Sequence, residues 1–151
     1  MNCLLFGGAR DTGKSKSIYK LGEYLINSKE YVIRSGHFPS PFQDFWCVLE
    51  KNDKVILLQS YTDLVKAVKE LKTRRDEIDS VTHVISAIRN EGDHMRNRFW
   101  EILKINSSDN ILEIPLGKVV GGRTRKMNIK WYLEKTLGVV KEIVKCSPFE
   151  F

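Results

Sequence analysis

Residues Leu4–Leu21 read LLFGGARDTGKSKSIYKL: an apolar run, a loop holding Gly7, Gly8 and Gly13, then an amphipathic stretch. This junction constrains the fold more than any other part of the chain. Glycine loses more backbone freedom on folding than any other residue, so a cluster of glycines marks a place where the chain must curl tightly or be approached closely. Asn2–Phe6 has the length and composition of a buried strand. From Lys14 the period changes: Ile18, Leu21, Gly22, Leu25 and Ile26 recur at helical spacing and form one apolar stripe. Gly22 lies on that stripe, costly in a helix but permissive of close packing on a sheet. The segment NSKE ends the helix.

The rest of the chain alternates in the same way. Tyr31–Gly36 reads as a second strand. HFPSPF follows, and its two prolines forbid a helix, so it is expected as an exposed excursion carrying Phe38, Phe42 and Trp46 toward solvent. DFWCVLE and KVILLQS flank a short polar KND turn and predict a hairpin, with Val55–Gln59 apolar enough for a central strand. YTDLVKAVKELKTRRDEID predicts a helix with Thr62 as N-cap and Leu64, Ala67, Val68 and Leu71 inward. Val81–Ile88 is a further buried strand. A helix marked by Met95, Phe99, Ile102 and Leu103 comes next, then the strand NILEIPL, the glycine-rich basic loop GKVVGGRTRKM, and a closing helix striped by Ile129, Leu133, Leu137, Val140 and Val144. Such alternation argues for an α/β fold with a mostly parallel sheet covered on both faces.

Gly8-Ala9-Arg10-Asp11-Thr12-Gly13-Lys14-Ser15 fits G-x-x-x-x-G-K-[ST] in full, with a strand before it and a helix after it. The chain therefore resembles a P-loop NTPase. The chemistry accounts for the residue types. A triphosphate tail needs several donors converging from one side, which backbone N–H groups supply only where no side chain intervenes. The N-terminus of the following helix adds its own donors and partial positive charge. The resemblance implies a three-layer αβα fold with one antiparallel hairpin strand, one domain over residues 1–151, and ATP and Mg²⁺ as cofactors. It implies that Gly8 to Ser15, with Lys16, surround the phosphates, that Lys14 reaches the β/γ phosphates and that the Ser15 hydroxyl binds Mg²⁺. Asp11 is electrostatically unusual among phosphate-binding groups; it points outward or pairs with Arg10.

P-loop enzymes usually carry an acid at the end of a second buried strand. KVILLQS ends without one. Asp63, a few residues on, is the first choice for the metal-side carboxylate, with a role as a first-turn helix acid equally open. Asp44, ahead of the other hairpin strand, is the weaker choice, and Gln59 or Ser60 could instead meet a metal-bound water. A hairpin before the candidate metal strand is similar to the small GTPase arrangement, yet no N/T-K-x-D guanine motif appears, so ATP is the expected nucleotide. The region is also similar to small nucleotide or metabolite kinases, in which lid arginines clamp the transferred group. Arg89, Arg96 and Arg98 lie at and after a strand end, the edge where ligands collect in open sheets. Arg89 is the candidate for a catalytic role; helix surface charge is the plainer reading of Arg96 and Arg98. In the last loop, Arg123 or Arg125 could stack on the base or bind phosphate.

Net charge is +6, partly clustered in KTRR (Lys72–Arg75) and RTRK (Arg123–Lys126). A basic patch can attract nucleic acid or a phosphorylated molecule, but a solvated helix end is the plainer reading of KTRR. No helicase, RecA-like or DNA-binding motif is present, so nucleic acid is not an expected partner. Cys3, Cys47 and Cys146 are too scattered for a CxxC pair and are expected to be free thiols. His83 lies in an apolar run and is expected in a packed, hydrogen-bonded role. No apolar run is long enough to cross a bilayer and no leader pattern opens the chain, so a cytoplasmic location is expected. Three activities fit: a Mg²⁺-dependent NTPase or phosphotransferase, a small nucleotide or metabolite kinase, and a non-catalytic nucleotide-binding switch. Any phosphoryl acceptor should be a small molecule or a partner protein.

Overall fold

The computed structural model describes residues 1–62, 64–89, 92–121 and 124–151, with 92 and 93 as backbone only. Strands and helices follow in the order β1 (Asn2–Gly8), α1 (Lys14–Lys29), β2 (Val32–Gly36), β3 (Trp46–Lys51), β4 (Lys54–Gln59), α2 (Val65–Glu77), β5 (His83–Arg89), α3 (Gly92–Leu103), β6 (Asn110–Pro115) and α4 (Arg125–Ile143). They form one mixed sheet in the spatial order β2-β3-β4-β5-β1-β6. β1 lies between β5 and β6 and runs parallel to both, and β4 runs parallel to β5. β3 is antiparallel to both β2 and β4, so it is the reversed strand of the expected hairpin. β5 therefore separates β1 from β4.

Strand alternation divides the core in two. Leu4 and Phe6 of β1, Leu58 of β4 and Ile85 of β5 face α1 and α4, where they meet Ile18, Leu21, Leu25 and Val140. Cys3, Leu5, Leu57 and Val84 face the other way and are covered by Val68 and Leu71 of α2 and Phe99 and Leu103 of α3. A sheet with helices packed on both faces is compatible with a three-layer α/β arrangement.

Three expectations are corrected. Thr62 does not cap α2: its hydroxyl is buried and donates to the Ala87 carbonyl of β5. Leu64, expected inward, is instead the extended N-cap residue of α2 and is 66% exposed. The 37–45 excursion is exposed at His37 and from Ser40 to Asp44, as expected, but it does not carry all of its aromatic rings toward solvent. Phe38 stacks on Tyr19 of α1 with ring centroids 4.9 Å apart, Phe45 closes edge-on against Phe38 at 5.0 Å, and Pro39 is buried. Phe42 stays largely exposed, whereas Trp46 is half-buried beneath the Arg74 guanidinium, 4.8 Å from its ring.

The KTRR cluster is committed within the molecule. Arg74 donates to the side-chain oxygen of Gln59, Arg75 donates to the Leu103 carbonyl at 2.6 Å, and Lys72 and Arg75 both pair with Asp76. Both arginine side chains are more than four-fifths buried, at 19% and 17% exposure. His83 takes the expected packed role, bonded to Asn2 and Thr82 and set edge-on against Phe151. The three cysteines are free thiols, and burial pushes those of Cys3 and Cys47 up to about 12. No helix among the described residues is long and apolar enough to cross a membrane.

Candidate functional site

The glycine-rich stretch occupies the turn from the C-terminal end of β1 into α1. β1 is held on both edges by parallel ladders, with Gly8 opposite Arg89 of β5 and Gly7 opposite Pro115 of β6. The loop thus leaves the interior of the sheet at the edge where ligands of open α/β sheets bind. Gly13 is the N-cap residue of α1 and sits in the left-handed region at φ 90°, which an L side chain rarely adopts. A Cβ there would also come within 2.7 Å of Leu133 in α4. At Gly8 a Cβ would lie 2.7 Å from the Thr12 hydroxyl and 2.8 Å from the Leu116 carbonyl. Gly8 is required by the close approach of the Leu116 backbone, and Gly13 by its left-handed φ.

No side chain caps the start of α1, and its first turn holds no acid. Thr12, next to the cap, spends its hydroxyl on the Ala9 carbonyl at 3.0 Å instead. The first N–H groups of a helix lack intrahelical acceptors and carry partial positive charge. Lys14 is 6% exposed and folds back along the loop, donating to the carbonyls of Gly8 at 3.0 Å and Ala9 at 2.8 Å. Ser15 donates its hydroxyl to the Ser60 carbonyl just past β4, at 2.8 Å.

These groups line a cleft of about 290 Å³ formed by Arg10, Asp11, Thr12, Gly13, Lys14, Ser15, Lys16, Phe42 and Asp44. The structure therefore gathers Arg10 to Lys16 around one cavity, with Gly8 and Ala9 behind it as acceptors for Lys14. Asp11 stands at φ 63° with its carboxylate exposed, 3.9 Å from the Arg10 guanidinium, so pointing outward and pairing with Arg10 are both realised. A second cleft of about 320 Å³ lies between α1 and α4, lined mainly by apolar surface of Leu133 and Leu137 with Lys16, Ser17, Lys20, Lys130 and Glu134. The Ser17 hydroxyl is buried there and, among the described residues, has no hydrogen-bond partner.

The other candidates separate. Arg89 is the last residue of β5 and its backbone is paired in register with Gly8, which brings it to the loop's first residue. Arg96 is tied to Glu113 of β6 at 2.8 Å, and Arg98 pairs with Glu101 on the exposed side of α3 at 3.1 Å. Arg125 is an exposed residue at the start of α4. Gln59 does not face the loop: its amide donates to the carbonyls of Tyr61 and Ala67, both at 2.8 Å, on the α2 side of the sheet. Asp63 and Arg123 lie outside the described residues.

Asp44, the weaker sequence candidate, lines the cleft, and the hairpin register accounts for its position. Lys51 opposes Lys54, and counting back along the ladder sets Trp46 against Gln59. The two residues ahead of Trp46 must then arrive where β4 ends. Phe45 and Ser60 indeed exchange bonds: the Ser60 N–H donates to the Phe45 carbonyl at 3.0 Å, and the Phe45 N–H donates to the Ser60 hydroxyl at 2.9 Å. That hydroxyl reaches Asp44 Oδ1 at 3.3 Å.

Compared with protein-family models, with curated proteins and with solved structures, the chain shows no match.

Proposed function

We propose that this chain is a P-loop protein that binds a nucleoside triphosphate, ATP by default, with Mg²⁺, and acts on it as an NTPase or phosphotransferase. The observation that carries this reading is the combination at one turn: the sequence GARDTGKS, a left-handed Gly13 opening an uncapped helix, and a buried lysine beside a cleft. The left-handed Gly13, which lets the loop turn directly into the uncapped start of α1, supports the fit of a phosphate tail. Backbone donors would hold the phosphates, and Lys14 would neutralise charge on them. Bound Mg²⁺ supplies further charge neutralisation across the phosphates. The nucleoside has room in the α1–α4 cleft, which shares Lys16 with the phosphate cleft.

A second reading, a non-catalytic switch, is favoured by the 37–45 segment. That segment puts Phe42 into the cleft wall while Phe38 and Phe45 lie in the aromatic cluster against Tyr19 of α1. A ligand in the cleft would touch a segment packed along the same helix it caps.

Thermal unfolding with a panel of nucleotides and inorganic triphosphate, each with and without Mg²⁺, tests the reading. A ligand that binds only the native state raises the midpoint in proportion to its affinity and concentration. ATP should raise it, and the effect should vanish in Lys14→Ala. A midpoint indifferent to every phosphate compound would falsify the proposal. Steady phosphate release then separates enzyme from switch.

A further inference from the structure

We infer that Asp44, positioned by Ser60, is the metal-side carboxylate of this site, delivered from the antiparallel strand of the hairpin and not from the end of a parallel strand. The inference rests on the proposed nucleotide-binding function and names a residue that would complete it.

β4 ends in Gln59 and Ser60, and Gln59 is committed to the opposite face of the sheet through Tyr61, Ala67 and Arg74. Ser60 is fully buried, and its three polar atoms all serve the cleft's geometry. Its carbonyl accepts the Ser15 hydroxyl at 2.8 Å, its N–H donates to the Phe45 carbonyl at 3.0 Å, and its hydroxyl meets the Phe45 N–H at 2.9 Å and Asp44 Oδ1 at 3.3 Å. One residue thus joins the serine of the phosphate loop to the acid that arrives from β3. The Ser60 hydroxyl donates to Oδ1 and so orients the Asp44 carboxylate, whose Oδ2 would be the oxygen to ligate.

Charge decides what that carboxylate is for. Asp44 and the phosphate-loop residues line one cleft. A carboxylate beside a triphosphate repels it unless a cation lies between them. Mg²⁺ suits this donor set, because it takes one or two protein oxygens, completes its shell with substrate phosphates and waters, and needs no all-protein cage. Asp44 is exposed and forms no part of the core, so its replacement tests the site without threatening the fold.

The test is calorimetric titration of the purified full chain with ATPγS, once in EDTA and once with excess Mg²⁺, for the parent, Asp44→Asn, Asp44→Glu, Ser60→Ala and Asp63→Asn. The parent should bind more tightly with Mg²⁺, by on the order of tenfold or more. Asp44→Asn should erase that gain while binding metal-free ATPγS at least as well, since a repelling charge is gone. Asp44→Glu should recover part of it, and Ser60→Ala should reduce it without abolishing binding. A full Mg²⁺ gain in Asp44→Asn overturns the inference, as does a gain lost only in Asp63→Asn or a parent that binds equally in both media. A parent that binds in neither medium removes the nucleotide-binding reading itself.

Discussion

The Ser15 hydroxyl and the Ser60 carbonyl are joined by a 2.8 Å hydrogen bond that fixes the first turn of α1 to the end of β4, across 45 residues of sequence. The bond uses the serine's proton and leaves its oxygen lone pairs for a ligand. Ser15→Ala should therefore show two separable effects. Stability should fall by about 1 kcal/mol in urea unfolding, the usual net worth of one such bond. Separately, the Mg²⁺ dependence of nucleotide binding should weaken. Intact Mg²⁺ dependence would mean that the hydroxyl serves the fold alone.

Ser17 distinguishes nucleoside from phosphate recognition. Its hydroxyl is buried and, among the described residues, has no hydrogen-bond partner, while the residue lines the α1–α4 cleft. Ser17→Ala removes an unsatisfied group, so the free protein should melt no lower than the parent. Affinity for ATP should drop severalfold while affinity for inorganic tripolyphosphate stays put. Equal losses for both ligands would take the nucleoside out of that cleft.

Gly22 is a packing residue. A Cβ there would stand 2.5 Å from Phe38 Cε2 and 3.2 Å from Leu58 Cδ2. Alanine gains about 1 kcal/mol of helix propensity over glycine, yet overpacking in a filled core costs about 1–3 kcal/mol. The steric term should win, and Gly22→Ala should lower the urea midpoint. Shortening the neighbouring ring with Phe38→Leu should relieve part of that loss. A Gly22→Ala protein more stable than the parent would show that the ring moves aside freely.

Acid stability should depend on His83. Burial is the largest cause of its lowered pKa, so the folded state takes up a proton on this imidazole less readily than the unfolded chain. Between the folded pKa and the unfolded value of about 6.5, the unfolded chain binds more protons, so stability rises with pH. The contribution is fully present above that unfolded value and is lost as pH falls through the window beneath it. Comparing unfolding free energies of the parent and His83→Gln across this range should show a slope that the variant loses. Parallel curves would assign the acid sensitivity to other groups.

The β1–loop–α1 unit was legible in sequence because its residue types answer to local demands: an apolar strand, a left-handed cap, a helical stripe. The hairpin was legible for the same reason. What escaped depends on contacts between distant segments. Thr62 has the chemistry of an N-cap, but β5 offers the Ala87 carbonyl and takes its hydroxyl. Phe38 stands between residues that favour exposure, yet a glycine two turns down the sheet-facing side of α1 leaves a seat for its ring. Arg74 reads as a solvated helix end; only the fold reveals Gln59 and Trp46 beneath it. Asp44 lies between these cases: the sequence offers it as a weaker candidate, and counting the ladder brings it to the end of β4.

Pairing β1 on both edges has a consequence for motion. Amides of a doubly hydrogen-bonded interior strand open only when much of the sheet does, whereas those of an exposed loop exchange by local fluctuation. Here the two are covalently consecutive: Gly8 closes the ladder and Ala9 leaves it. In deuterium the boundary between slow and fast exchange should fall within a single peptide plane or two. A ligand seated beyond that boundary would extend the slow region outward along the chain, so its arrival can be followed at individual amides without any label or reaction.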